Sequence, residues 1–133
     1  MQALLLPLAG DWYALELATV REVVPSPVLR RVPHAPAAVL GVLNLRGDVV
    51  PVLDTASLLG LGSTTRIEHV VVVDSELGSA GLATDAMPRR SALGEPAGPT
   101  DLPAGHGRFA VDDGGVATLI DIGQVLAAFQ GTG

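Results

Sequence analysis

Gly41-Val42-Leu43-Asn44-Leu45-Arg46-Gly47-Asp48-Val49-Val50-Pro51-Val52-Leu53-Asp54 is the stretch from which the fold of this chain can be worked out. Apolar Leu40–Leu45 and Val49–Leu53 flank Arg46-Gly47-Asp48. Glycine and aspartate tolerate turn geometry, so the stretch predicts two strands joined by a turn. Asp54 then opens a short helix, Thr55–Leu59, because its carboxylate can accept the backbone N–H groups that a first helical turn leaves unpaired. Gly60 ends that helix, since glycine takes the left-handed cap conformation freely. Arg46 has two readings at this point. It is a solvated turn residue of little energetic consequence, or its guanidinium fork holds a carboxylate and fixes two segments together. Glu22 is the candidate partner.

Working outward, more strands come into view. Leu4–Leu8 and Tyr13–Leu17 flank Ala9-Gly10-Asp11-Trp12 and read as a β-hairpin. Val20–Val24 extends its second strand or begins a loop. Pro25, Pro27, Pro33 and Pro36 then exclude a regular helix. His69–Val73 is rich in β-branched residues, hence a strand. Asp74–Ser79 is a turn, and Ala80–Thr84 a returning strand. Ser91–Gly107, rich in Pro, Gly and Ala, reads as a surface loop. Phe109–Val111 and Val116–Ile120 form a last hairpin around Asp112–Gly115. Asp121 caps a final helix, Ile122–Phe129, with Gln124 placed as in a capping box.

These elements repeat. A shift of 67 positions lays Leu15 on Leu82, Gly47 on Gly114, Val49 on Val116, Asp54 on Asp121 and Leu59 on Leu126. The order hairpin, long loop, hairpin, Asp-capped helix occurs twice. The repeat predicts two similar β subdomains in tandem within one domain spanning 1–133. Neither half is large enough to be comfortable alone, so the two should pack together.

Composition narrows the function. Hydrophobic residues make up 48% of the chain and aromatics only 3%, so Val, Leu, Ile and Ala build the core. Cysteine is absent, which excludes disulfides, thiolate zinc sites and cysteine nucleophiles. The net charge is −6 without a basic stripe, so nucleic acid is not an expected partner. The apolar start, Met1–Leu8, is short and interrupted by Asp11, so neither a signal peptide nor membrane insertion is expected. A cytoplasmic location fits the absence of cysteine. His34, His69 and His106 are far apart in sequence: His34 reads as a loop residue, His69 as a solvated strand end, and His106 as part of the Gly-rich loop. No metal or cofactor is expected. Asp112-Asp113 reads as a turn, and Asp54 and Asp121 as helix caps. No nucleophile–base pairing appears, so nothing positive supports an enzyme.

The motif around Arg46 resembles the CheW-like family, the coupling proteins of bacterial chemotaxis. The family pattern P-x-x-x-x-G-x-x-N-L-R-G-x-x-x-P-x-x-D is met by Pro36, Gly41, Asn44-Leu45-Arg46-Gly47, Pro51 and Asp54. Gly10–Leu15 with Val20-Arg21-Glu22-Val23 is similar to the family's start. Val70–Val73 with Gly81–Asp85, and Leu119-Ile120-Asp121 with Val125-Leu126, are similar to its second half. Thr55-Ala56 departs from a usual Leu and basic residue, and Arg108 from a usual Gly.

The resemblance implies a mostly β fold of two intertwined, five-stranded SH3-like barrels with short helices. It implies a non-enzymatic adaptor linking chemoreceptor signalling tips to the regulatory domain of the histidine kinase CheA, recruited to receptor arrays. The receptor-binding residues would be Val20, Glu22, Gly41 and Arg46, with Arg46 paired to Glu22. The kinase-binding residues would be Gly81 and Met87, on the second subdomain. Val20 and Met87 are alternatively core residues, and Gly41 and Gly81 positions where only the backbone matters. Two alternatives stay beside this: a coupler for a pilus or gliding-type chemosensory system, and a regulatory sensor domain holding a small ligand between its barrels.

Overall fold

The computed structural model describes residues 1–64 and 66–132. The chain runs β1 (Gln2–Leu8), β2 (Asp11–Glu16), a 3-10 turn (Leu17–Thr19), β3 (Val20–Pro25), β4 (Val39–Leu45), β5 (Asp48–Leu53) and α1 (Thr55–Leu58). It continues with β6 (His69–Ser75), β7 (Gly78–Thr84), β8 (Arg89–Ala92), β9 (Pro96–Gly98), β10 (Gly105–Ala110), β11 (Val116–Ile120) and α2 (Ile122–Thr132). The fold is mostly β, as the sequence predicts. Val20–Val24 is a separate strand, not an extension of β2.

Two sheets result, ordered β8-β1-β2-β11-β10-β9 and β3-β6-β7-β5-β4. All neighbours are antiparallel except β2 with β11 and β5 with β7. At an offset of 67 residues β1 falls on β6, β2 on β7, β3 on β8, β4 on β10 and β5 on β11. The sheets nevertheless do not divide the chain at its midpoint. Each takes its first hairpin from one half and its three remaining principal strands from the other.

The link between β2 and β3 accounts for this exchange. Within one half, β3 would have to lie antiparallel to β1 and so parallel to β2. The chain would then have to travel back along a whole strand, roughly 20 Å for six residues. The three residues Leu17–Thr19 reach only about 10 Å. Carried straight on, β3 enters the other sheet and pairs with β6.

Each sheet closes on itself in the same way. Chain leaving β3 returns to β4, where Arg30 and Val42 exchange backbone hydrogen bonds of 2.9 and 2.8 Å. Chain leaving β8 returns to β10, through Gly94 and Ala110 and then through β9. The expected loop Ser91–Gly107 is therefore corrected: it holds the end of β8, all of β9 and the start of β10. The residues of β9 are exposed and lack the apolar alternation that marks a strand, because this closing strand has little to bury.

Three apolar clusters follow from side-chain alternation. On β1, Leu4, Leu6 and Leu8 point between the sheets, and Ala3 and Leu5 into the six-stranded one. On β6, Val71 and Val73 point between the sheets, and Val70 and Val72 into the five-stranded one. Both strands are buried on two faces, which is why they read as unbroken apolar runs. Leu15, Leu53, Leu82, Ile122, Val125 and Leu126 also belong to the central cluster.

Candidate interaction site

Two hairpins turn through two residues of positive φ. Ala9-Gly10 (φ 52° and 80°) joins β1 to β2, and Arg46-Gly47 (φ 50° and 92°) joins β4 to β5. This is the geometry that suits right-twisted strands, with Asn-Gly the favoured pair. An arginine in the first position is strained by about 1 kcal/mol.

Arg46 reaches from that turn to β3, where its guanidinium meets the Glu22 carboxylate. The Arg46 side chain is 69% exposed and that of Glu22 28%. Beside it Arg21 donates to Asp48 at 3.1 Å. The pairs tie strand β3 to the β4–β5 turn of the five-stranded sheet. Exposure on this scale makes them worth well under about 1 kcal/mol of fold stability each. Arg46 thus combines the two readings: it holds a carboxylate across the sheet, and it remains a mostly exposed turn residue of little consequence for stability.

Val20 opens β3, half-buried against the central cluster. Gly41 is buried under the returning chain: a Cβ there would stand 2.7 Å from the Arg30 carbonyl oxygen and 3.2 Å from Leu29 Cβ. It is the close approach, not a surface contact, that requires glycine at this position. Arg108, the counterpart of Gly41 in the other sheet, is accommodated because Gly98 lies opposite it on β9.

The sequence reading put Gly81 and Met87 on a subdomain apart from the Arg46 face. The structure places Gly81 on β7, inside the same five-stranded sheet, between Val72 and Val52. A Cβ on Gly81 would meet Val70 Cγ1 at 2.6 Å and Val52 Cγ2 at 3.2 Å, and both valines are fully buried. Gly81→Ala is therefore expected to cost about 1–3 kcal/mol by overpacking. Val70→Ala should destabilise by itself through the cavity it leaves, and the double variant Gly81→Ala/Val70→Ala should lose less than the sum of the two single changes. Chemical denaturation of the three variants checks both statements. Met87 lies between β7 and β8 and is 72% exposed, so it is not a core residue.

Other polar groups correct or extend the sequence reading. His69 opens β6 as expected but is only half-exposed, and its Nδ1 is buried without a partner among the described residues. His106 lies on β10, its Nε2 3.1 Å from Asp121 Oδ2. Asp121 also accepts the Gln124 N–H at 3.0 Å, and this bond, followed by the His106 contact, lowers its carboxyl pKa. Leu15, Glu16, Thr19 and Leu119–Ile122 join His106 around a cavity of about 360 Å³. Asp54 caps α1 through Ser57 N–H at 3.1 Å and accepts the Thr64 hydroxyl at 2.6 Å. Thr55 is buried and donates to the Ala83 carbonyl at 2.9 Å, tying α1 to β7. Among the described residues no group of three or more acidic or histidine side chains is placed to hold a metal, and no helix is long and apolar enough to cross a membrane.

Residues 2–130 match the family model for the CheW-like domain. The chain is 36% identical over 77 residues to the chemotaxis protein CheW of Rhizobium meliloti, and 34% identical over 77 residues to the probable chemotaxis protein CheW of Rhizobium etli. The aligned part is 56% of this chain and 50% of each relative, so the chain spans about half the length of the curated relatives it matches. The scaffolding protein TtCheW from Thermoanaerobacter tengcongensis has a similar structure, with a TM-score of 0.74 at 25% identity. That likeness covers 91% of this chain and 84% of the other.

Proposed function

This chain belongs to the CheW-like domain family, and from that premise we propose that it is a non-enzymatic adaptor coupling chemoreceptor signalling tips to the regulatory domain of the histidine kinase CheA. The observation that carries this reading is Arg46. It occupies a turn position that disfavours it, is mostly exposed, and holds Glu22 from across the sheet. The fold gains little from such a pair, whereas a partner gains a guanidinium already oriented by one carboxylate and offering further donors.

The receptor tip docks on the five-stranded sheet at Val20, Glu22 and Arg46, with Gly41 shaping the edge beneath by letting the chain at Leu29 and Arg30 lie close. The kinase docks near Met87, whose exposed thioether side chain adapts readily to a partner. Gly81 acts on that contact through packing inside the sheet rather than by touching the kinase. The adaptor works in the cytoplasm and is recruited to receptor arrays at the membrane through these contacts.

The test is a pull-down of the purified protein with a receptor signalling tip and a CheA regulatory domain from the same genome. Capture of both together is expected. Arg46→Asn should weaken receptor capture by about fivefold or more, while stability holds or rises by up to about 1 kcal/mol because asparagine suits the turn. Loss of stability in Arg46→Asn would make Arg46 a structural residue. Capture of neither partner by the well-folded protein would sink the adaptor reading.

A further inference from the structure

The chain that closes the five-stranded sheet uses only one side of its backbone. Arg30 donates its N–H to the Val42 carbonyl on β4 at 2.9 Å and accepts the Val42 N–H at 2.8 Å. Successive residues of an extended chain turn their backbone groups to opposite sides. Leu29 and Arg31 therefore point theirs away from β4, and neither residue's backbone has a partner among the described residues. Pro27 and Pro33 bracket this edge, and positive φ at Ser26 (45°) and His34 (62°) bends the chain away at its two ends.

The side chains of the edge are as open as its backbone. Leu29 packs against the cluster inside this sheet, so Val28, Arg30 and Val32 face the other way by alternation. Val28 is 82% exposed and Val32 41%. Arg30 and Arg31 are exposed, and neither makes an ion pair among the described residues. The chain carries 14 acidic side chains against 8 basic ones, so its own carboxylates are plentiful and still leave these two guanidiniums without a partner. A second copy of the same segment is a poor occupant, because pairing two such edges sets arginine beside arginine, and like charges across a strand pair repel. Charge and proline at an edge are how folds prevent that self-pairing. An acidic strand meets no such repulsion.

We infer that Val28–Val32 is a docking edge for an acidic, extended peptide of a partner protein, which adds a strand beside it through the backbone of Leu29 and Arg31. The peptide that fits carries carboxylates opposite Arg30 and Arg31 and β-branched residues opposite Val28 and Val32. Main-chain hydrogen bonds supply attraction in this mode of recognition, and alternate side chains supply selectivity. The edge is short and its charges are screened by salt, so the contact is weak, reversible and strongest at low ionic strength. It uses none of Val20, Glu22, Arg46 and Met87, and so goes beyond coupling to a receptor and a kinase and does not depend on it.

The test is an NMR titration of the isotope-labelled full chain at low salt with the synthetic peptide acetyl-Ser-Val-Glu-Glu-Thr-Val-Ser-amide. Laid antiparallel, its two valines meet Val32 and Val28 and its two glutamates meet Arg31 and Arg30. Saturable shifts are expected at the amides of residues 28–32, and added salt should reverse them. The third and fifth amides of the peptide face the edge and the fourth faces away. Methylating the nitrogens of the third and fifth should weaken binding about tenfold or more, and methylating the fourth should not. Arg30→Glu/Arg31→Glu alters two exposed, unpaired side chains, so the fold should survive, as circular dichroism will show. That variant should lose the peptide about tenfold or more and gain the version with lysines in place of the glutamates. Absence of saturable shifts at 28–32 with about 1 mM peptide overturns the inference. So does equal binding after methylation of the third and fifth amides, which would reduce the contact to charge attraction. Shifts at 28–32 that grow with protein concentration in the absence of peptide would make a second copy the occupant and overturn it as well.

Discussion

Cutting the chain between Arg66 and Ile67 is expected to leave two pieces that are each unfolded alone and fold together when mixed. Four strand pairings cross that cut: β1 with β8, β2 with β11, β3 with β6, and β5 with β7. Without them the first piece keeps two hairpins and a lone strand, and isolated hairpins are marginal in water. It also exposes Leu4, Leu6 and Leu8 on one side of β1 and Ala3 and Leu5 on the other. Each piece does carry one copy of every principal strand, so a barrel built within one half is conceivable on paper. The three-residue link Leu17–Thr19 forbids it, because β3 cannot be brought back alongside β1. Circular dichroism and gel filtration of each piece and of the equimolar mixture would show the outcome. A folded first piece would mean that the link is not what imposes the exchange.

Leu6→Ala should cost about 2–5 kcal/mol, out of roughly 5–15 for a domain of this kind. Leu6 is fully buried in the central cluster, which also holds Leu15 from its own sheet, Val71, Val73 and Leu82 from the other, and Ile122, Val125 and Leu126 from α2. Close packing between two sheets and a helix leaves few ways for the neighbours to collapse into the space of a lost isobutyl group, and that places the cost in the upper part of the range. The damage should reach both sheets at once. Urea unfolding followed by Trp12 fluorescence, which reports on the six-stranded sheet, and by far-UV circular dichroism, which reports on both, should give one coincident transition moved to lower urea. Two separated transitions would show that the sheets are independent units and that the central cluster does not join them.

Much of this was legible in the sequence because it rests on short-range chemistry. The unbroken apolar runs of β1 and β6 follow from burial on both faces. The Asp54 and Asp121 caps follow from the unpaired N–H groups at helix starts. The turn at Arg46-Gly47 follows from the tolerance of glycine for positive φ, and the match of Glu22 to Arg46 from their charges. The segment 91–107 was not legible: a closing strand of Pro, Ala and Gly buries almost nothing and leaves no periodic trace. Nor was His106, whose partner Asp121 lies fifteen residues away on another element.

By itself, then, the sequence determined the inventory of strands, their two-sided burial, the repeat in their order and the family to which they belong. Tertiary structure alone decided which hairpin joins which sheet, that Gly81 shares a sheet with Arg46, and that Arg89 on β8 meets Asp113 of the β10–β11 turn. The reason is physical. Propensity, capping and alternation act over a few residues and leave their mark locally. The partner of a strand is chosen by which edge its link can reach and which core its faces can fill, and those are properties of the assembled molecule.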